Sequence, residues 1–252
     1  MEIIKYKKTK DNIYEVILDN GSILTLFDET IMKYALLINK TITNELLQEI
    51  TKYNEDLEAY YGALKFLSKK MRSELEVSKY LAKKEFSEKV INKTIALLRE
   101  KGELDRTRFI TSYINDQFNL TNNGPARIKD SLIKLGFSED EISIEKDFTN
   151  KVQLLISKKV KVNHKLSTNN LKLQIANYLV NLGYPKGMFA EYLELISANN
   201  KTLIKKDYEL LLKKYSKKYD SYKLKLFIKD KLYKKGYNIE EINEVMSDDA
   251  IY

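Results

Sequence analysis

The sequence contains no cysteine and no tryptophan, and only one histidine, two prolines and eight glycines in 252 residues. Without cysteine the chain can form neither disulfides nor thiolate metal sites, and it has no cysteine nucleophile. No stretch approaches the roughly 18 apolar residues of a membrane span. Residues 1–6 lack the basic start and apolar run of a signal peptide. We therefore expect a cytoplasmic, unprocessed protein that does not contact membranes.

Catalytic signatures are also scarce. The single histidine, His164, is followed by a lysine and has no partner at a ligand or triad spacing, which is typical of a surface residue. No Gly-x4-Gly-Lys-Ser/Thr phosphate-binding loop occurs. Acidic residues such as Glu139 and Glu141 fall in a predicted first helical turn, where the helix dipole favours them. We expect no enzyme activity, no catalytic residue, no metal and no cofactor.

One pattern recurs four times: a leucine followed, five residues later, by an aromatic residue. The spacings between the four leucines are 51, 47 and 53 residues, and the segments begin at Leu81, Leu132, Leu179 and Leu232. A period near 50 residues is typical of stacked helical units that share a core. We predict a mainly α fold of tandem three-helix, helix-turn-helix-like repeats that form an elongated curved rod. Its extended surface favours binding of other macromolecules.

Helix caps define each predicted repeat. Gly136, Gly183 and Gly236 are predicted left-handed C-caps of the second helix, whereas Glu85 occupies that position in the first repeat and implies another cap geometry or mild strain. Capping boxes are predicted to start helices at Ser73, Ser138 and Asn238. The predicted organisation is an N-terminal module at residues 1–56 and repeats at 57–105, 106–148, 149–198 and 199–252.

The N-terminal module is predicted to be a small β-hairpin with helices. Two β-rich runs flank Asn20-Gly21, which supplies the positive φ angles of a tight turn, and residues 3–6 can add a third strand. From Asp28 onward the pattern is helical, with Ile31, Tyr34, Ala35 and Ile38 at helix spacing.

Basic residues are concentrated away from this module. Residues 1–56 hold seven lysines against ten acids, whereas residues 201–237 hold thirteen lysines against four. Such a surface attracts polyanions, either nucleic acid or an acidic protein, although a solvated lysine-rich face explains any single cluster equally well. Turns around Asp105 and at Gly124-Pro125 also present arginines, and each of these turns is equally explained as a connector between helices.

The order and spacing of several segments resemble the RecX family of recombination regulators, most strongly over residues 59–142. The segments are Ala63-Leu-Lys-Phe-Leu67, Arg72-Ser-Glu-Leu75, Leu81-Ala-Lys-Lys84, Leu98, Lys101-Gly102, Leu104-Asp-Arg106-x-Arg108-Phe109, Gly124-Pro125-x-Arg127-Ile128 and Leu132-x2-Leu-Gly-Phe137. The family pattern usually has a second acid where this chain has Arg106, and glycine where it has Glu85. The N-terminal module resembles the extra module of longer members from low-GC Gram-positive bacteria.

The resemblance implies a non-enzymatic, monomeric modulator of the RecA recombinase. Such proteins bind RecA and its filament on single-stranded DNA and inhibit ATP hydrolysis, strand exchange and filament extension, in recombination and the SOS response. Some members bind DNA directly, single- or double-stranded. The alternatives are a sequence-independent nucleic-acid-binding module and an adaptor scaffold. The interface residues predicted on this basis are Lys69, Lys70, Arg72, Arg106, Arg108, Arg127, Lys213, Lys214, Lys217 and Lys218.

Overall fold

The computed structural model describes residues 1–163, 165–196 and 200–248, so His164 lies outside the described residues. The fold is mainly helical with a small N-terminal sheet, as predicted. The strands are β1 (Ile3–Lys10), β2 (Ile13–Leu18) and β3 (Ile23–Phe27). The helices are α1 (Asp28–Lys33), α2 (Asn44–Leu67), α3 (Glu74–Ala82), α4 (Glu88–Glu100), α5 (Arg106–Leu120), α6 (Pro125–Lys134), α7 (Thr149–Lys161), α8 (Thr168–Asn181), α9 (Ala190–Glu194), α10 (Asn200–Tyr215), α11 (Ser221–Lys234) and α12 (Ile239–Asp248).

The N-terminal module contains an antiparallel sheet in the order β1-β2-β3. The predicted hairpin joins β2 to β3, and Gly21 in its turn has a φ of +82°. The third strand, β1, continues past the predicted residues 3–6 to Lys10. One face of the sheet is buried against the helices that follow it. The module's core contains Ile3, Val16, Leu18, Leu26, Ile31, Leu36, Ile42 and Ile50.

Helix α1 is shorter than predicted, because it ends at Lys33 rather than continuing through Ile38. Ala35 has a φ of +47°, which no α-helix residue adopts. The Leu36 amide donates to the Ile31 carbonyl at 2.9 Å, so the chain turns back and Leu36 enters the core. Ile38 is instead 82% exposed. The helical spacing was misleading because Leu36, not Ile38, fills the module's core.

Helix α2 links the N-terminal module to the first repeat. It is one continuous helix of 24 residues, so the predicted border at residue 56 lies inside it. Ile50, in its first half, belongs to the core of the sheet module, whereas Ala59 and Ala63, in its second half, belong to the next core. Small residues at those two positions let α3 and α4 pack closely against the helix.

The repeated leucine–aromatic segments fill the cores of the repeats, as predicted. The four leucines are 0% exposed. Of the four aromatic residues, Phe86 is half-buried and the others are buried. Full burial of a leucine side chain stabilises a fold by about 1.5–3 kcal/mol. The residues concerned are Leu81, Leu132, Leu179 and Leu232, with Phe86, Phe137, Tyr184 and Tyr237.

The third helix of each repeat varies more than predicted. In the last repeat, α12 follows the predicted capping box, in which Asn238 and Glu241 exchange hydrogen bonds of 2.9 and 2.8 Å. The box predicted at Ser138 starts only a single 3₁₀ turn, at Glu139–Glu141. There the Ser138 hydroxyl donates to the Glu141 carboxylate at 2.8 Å, so it does not accept from the amide that an N-cap satisfies. In the third repeat, the five-residue α9 follows a 3₁₀ turn.

The three predicted C-cap glycines also form the joints between successive repeats. Each has a positive φ, of +93°, +88° or +83°, and each lies against the first turn of the second helix of the preceding repeat. Gly136 approaches Leu75 of α3, Gly183 approaches Arg127 of α6, and Gly236 approaches Ser167 before α8. A Cβ at Gly183 would lie 2.5 Å from the Arg127 backbone nitrogen, so this contact requires glycine.

The described chain divides into two compact units. The first unit contains Met1–Ser112 and Ile133–Glu141, and the second contains the rest. The joint between Leu75 and Gly136 lies within the first unit. The joints at Gly183 and at Gly236 lie within the second unit. This division cuts through the predicted repeat at 106–148, and the four repeat boundaries stay predictions. No described helix is long and apolar enough to cross a membrane.

Candidate interaction surface

Two of the predicted interface residues line one groove in the first unit, between the end of α2 and the start of α5. We call it the α2–α5 groove. Its volume is about 470 Å³, and Arg72 and Arg108 both line it. Lys69 and Lys70 are exposed in the adjoining loop that leads from α2 to α3. The remaining lining residues are Leu64, Leu67, Ser68, Met71, Gly102, Glu103, Asp105 and Phe109.

Arg72 is largely committed to internal contacts. Its guanidinium donates to Glu76 at 3.0 Å and lies 4.3 Å from the centre of the Phe66 ring. The same Glu76 carboxylate accepts from the Ser73 amide at 2.9 Å and completes the predicted capping box. Arg72 therefore holds the start of α3, while its buried Nε has no hydrogen-bond partner among the residues that the structure describes. Its predicted interface role stays a prediction.

Arg106 is the centre of an ion-pair network that joins α3, α5 and the turn after α6. It donates to both oxygens of Glu141, at 2.7 and 2.6 Å, and to Glu74 at 2.9 Å. A further bond of 3.2 Å reaches the carbonyl of Gly136. Arg99 pairs with the same Glu74. The guanidinium also lies 4.6 Å from the centre of the Phe137 ring.

These contacts change the ionisation of the network. Hydrogen bonds from Arg106, and then from Ser138, lower the pKa of Glu141 to about 2. Hydrogen bonding to Arg99 is the main cause of the lowered pKa of Glu74. The pKa of Arg106 is raised above its usual range, chiefly by Glu141. The network is thus fully charged at neutral pH and stabilises the first joint between repeats, and an interface role for Arg106 stays a prediction.

Arg108 and its neighbours Lys69 and Lys70 are more available. Asp105 caps the start of α5, since its carboxylate accepts from the Arg108 amide at 2.9 Å. This cap fixes the direction of the first turn, from which the exposed Arg108 side chain projects at the edge of the α2–α5 groove. Neither Arg108 nor the two lysines forms an ion pair within the described part of the chain.

The Gly124-Pro125 turn uses its amide groups internally. The Gly124 amide donates to the Leu182 carbonyl at 2.7 Å, and the Ala126 amide to Gly183 at 3.1 Å. The exposed Arg127 side chain donates to the Asn181 carbonyl at 3.1 Å. Donors at the start of α6 thus satisfy carbonyls at the end of α8. Of the two explanations left open by the sequence, the geometry favours a connector.

The other predicted residues form a basic patch where α10 ends and the chain turns into α11. All four side chains are exposed, and none forms an ion pair with an acid among residues 200–248. We call Lys213, Lys214, Lys217 and Lys218 the α10–α11 lysine patch. Three half-buried rings support the turn: Phe227 stacks on Tyr219 with centroids 4.8 Å apart and meets Tyr215 edge-on at 4.8 Å.

Eight of the ten predicted residues therefore form two groups in separate units, one around the α2–α5 groove and one in the α10–α11 lysine patch, whereas Arg106 and Arg127 lie at joints between repeats. Sequence reasoning missed the pairing of Arg106 with Glu141, because the partners are 35 residues apart. It also missed the outward face of α11, where Tyr222, Leu226 and Tyr233 are exposed. Their spacing of four and seven residues was the available signal. In the described ranges no group of three His, Asp or Glu side chains could hold a metal ion.

Comparison with known proteins identifies the family. A family profile described as "RecX, first three-helix domain" matches residues 59–98, which include α3 and most of α4. A "Regulatory protein RecX" from Streptococcus pyogenes serotype M3 is 31% identical over 252 residues, covering 96% of this chain and 97% of that protein. The chain belongs to the RecX family. A regulatory protein RecX from Streptococcus equi subsp. zooepidemicus is 28% identical and covers 98% of this chain and 99% of its own length.

A solved RecX structure shares the fold. "Crystal structure of regulatory protein RecX" superposes with a TM-score of 0.61 at 18% identity, covering 75% of this chain and 97% of the other. The relatives of this RecX-family chain are thus regulatory proteins, which extend over nearly its whole length.

Proposed function

We propose that this RecX-family chain is a cytoplasmic, non-enzymatic modulator of the RecA recombinase. It binds RecA and the RecA filament on single-stranded DNA, and inhibits ATP hydrolysis, strand exchange and filament extension. The observation that carries the proposal is the family relationship, which extends over 96% of the chain to proteins named regulatory protein RecX. The α10–α11 lysine patch supports it, since its lysines form no ion pair with an acid among residues 200–248 and can pair with a partner's acids.

Binding by repeats adds many weak contacts. The α2–α5 groove and the α10–α11 lysine patch lie on separate units, so each is able to contact a different part of a filament. Two weak contacts on one chain combine into tighter binding because the second is intramolecular. We propose that Lys69, Lys70 and Arg108 contribute through the first surface and the four lysines through the second. Binding through such exposed charges weakens as salt increases.

The first test is single-stranded-DNA-dependent ATP hydrolysis by the cognate RecA, titrated with this protein at well below one molecule per RecA. Loss of hydrolysis at these ratios is the expected result. No effect at any ratio, in a salt range where the protein binds bare DNA tightly, contradicts the proposal. That outcome supports the second candidate, a sequence-independent nucleic-acid-binding module, which the thirteen lysines of residues 201–237 favour.

Charge reversal tests the lysine patch itself. Replacing all four lysines, as K213E/K214E/K217E/K218E, should weaken filament binding and leave helicity by circular dichroism unchanged. The matched control makes the same change in net charge on exposed lysines of the N-terminal module, Lys5, Lys8, Lys10 and Lys40. An equal loss of filament binding in both variants would assign the effect to overall charge. If the patch variant still inhibited RecA as the wild type does, the patch would not be part of the interface.

A further inference from the structure

Helix α11 has two apolar faces, and within the described part of the chain only one of them packs in a core. Its inner face packs in the core of the last repeat through the buried Ile228 and Leu232. Its outer face carries Tyr222, Leu226 and Tyr233, whose side chains are 75%, 53% and 61% exposed. Large exposed apolar residues that occur singly need no explanation, but three on one helix face form a patch.

The three side chains are aligned along the helix. With 100° per residue, positions 222, 226, 229 and 233 fall within an arc of about 60°, and Tyr222 and Tyr233 are about 16 Å apart along the axis. This is the i, i+4, i+7, i+11 spacing with which an amphipathic helix anchors itself in a groove of another protein. Lys229 occupies the i+7 position, and it is half-buried and donates to Asn243.

The edges of the stripe carry more basic than acidic residues. Lys225 lies beside it on one edge, whereas Lys223, Asp230 and Lys234 lie on the other, where Asp230 pairs with Lys234 at 2.8 Å. Lys225 forms no ion pair within residues 200–248, and the Lys223–Asp220 pair is long, at 4.0 Å, and exposed to solvent. The α10–α11 lysine patch also lies close to this helix in sequence, since Lys218 precedes the first residue of α11 by three positions. A partner for it therefore has acidic residues around an apolar surface.

The side-chain chemistry favours a protein over nucleic acid. Single-stranded nucleic acid binds to successive aromatic faces in a basic groove. Here the aromatic rings close to the lysine patch, those of Tyr215, Tyr219 and Phe227, pack against one another. The two exposed tyrosines are separated by Leu226, which has no ring to stack on a base. Tyrosine is instead among the residues enriched in protein–protein hot spots.

We propose that the outer face of α11 is a docking helix that inserts Tyr222, Leu226 and Tyr233 into an acid-rimmed apolar groove on a protein partner. The choice of partner for the test rests on the proposed function, and the probe is the cognate RecA filament on single-stranded DNA. The last repeat then contributes both an apolar anchor and the lysines that orient it, so binding depends on shape as well as charge.

Two variants test the face. Leu226→Lys places a charge at the centre of the stripe and should weaken binding to the RecA filament at least tenfold. Leu173→Lys is the matched control, because Leu173 is 60% exposed at the corresponding sixth position of α8 and has no aromatic neighbours in such a stripe. The control should stay within twofold of wild type. The second variant, Y222S/Y233S, removes the aromatic anchors without adding charge and should also weaken binding.

Affinity is measured for the RecA filament, for DNA-free RecA and for bare single-stranded DNA, with helicity checked for each variant. Equal binding of Leu226→Lys and Leu173→Lys to the filament would overturn the docking proposal while leaving the proposed function intact. Loss of bare-DNA binding alone in Y222S/Y233S would overturn it in favour of a nucleic-acid surface. Failure of the wild-type protein to bind RecA in either form would remove both the proposed function and the docking face.

Discussion

Replacing Gly183 by alanine should destabilise the joint between the second and third repeats. Gly183 has a φ of +88°, and its missing Cβ would lie 2.5 Å from both the backbone nitrogen and the Cβ of Arg127. The left-handed conformation costs a residue with a Cβ about 1 kcal/mol. Overpacking adds about 1–3 kcal/mol. The contact is to backbone, which cannot rotate away as a side chain does, so we expect a total loss of about 2–4 kcal/mol.

Two other glycines separate these contributions. Gly102 has a φ of +72° but open space where its Cβ would be, so Gly102→Ala should cost only about 1 kcal/mol. Gly187 has neither a positive φ nor a close neighbour, so Gly187→Ala should be close to neutral, within about 0.5 kcal/mol. Urea titrations followed by circular dichroism give the three free energies of unfolding. If Gly183→Ala costs no more than Gly102→Ala, the close approach at the joint is not a constraint and the reasoning fails.

Other contacts give further predictions. Arg106→Ala should reduce the free energy of unfolding by about 1–3 kcal/mol, a value limited by the partial exposure of the side chain. Because the pKa of Glu141 is lowered from 4.5 to about 2, the stabilising effect of this pair is complete above pH 4.5 and is lost as the pH falls towards 2; urea titrations across that range should show the wild type and Arg106→Ala converging in acid. Glu85→Gly should raise stability by about 0.5–1 kcal/mol, since Glu85 is exposed at a φ of +66°, and an unchanged melting temperature would argue against strain there. Tyr237→Phe should cost about 1 kcal/mol because the buried hydroxyl donates to a carboxylate at 3.0 Å, whereas Tyr184→Phe removes a buried hydroxyl that has no hydrogen-bond partner in the described chain and should cost nothing. Calorimetry that gives equal losses of stability for the two variants would contradict the pairing of Tyr237.

The local features of the fold could be predicted from the sequence because their signals are local. Each buried leucine precedes its aromatic partner by five residues, and each C-cap glycine marks its own helix end. The box at Ser73 likewise needs only residues three apart. Glu85 adopts the same left-handed conformation as the three joint glycines. Its amide donates to the carbonyl three residues earlier, and the Phe86 amide donates to the carbonyl five residues earlier, at the end of α3. The Gly183 and Tyr184 amides make the same two bonds at the end of α8.

Features that depend on distant residues could not be predicted in this way. The residues from Ile31 to Ile38 have helical spacing, but the chain turns back after Lys33 so that Leu36, rather than Ile38, is buried in the module's core. The network of Arg106 depends on Glu74 and Glu141, which the folding of three helices brings together. The joints likewise pair residues 54 or more positions apart, as Arg127 with Asn181. Local pattern alone contains no information on these pairs.

The interface residues proposed from the sequence are all basic, and the structure separates them by side-chain chemistry. Arg72, Arg106 and Arg127 all donate to acceptors within their own unit, and the planar fork of Arg106 bonds several oxygens at once. The lysines of the α10–α11 patch are flexible point charges that form no ion pair with an acid among residues 200–248. Substitution of the arginines should therefore act first on stability, and substitution of the lysines first on binding. Two results together would establish that division. The quadruple variant of Lys213, Lys214, Lys217 and Lys218 would lose binding with an unchanged free energy of unfolding, and Arg106→Ala would lose both binding and stability.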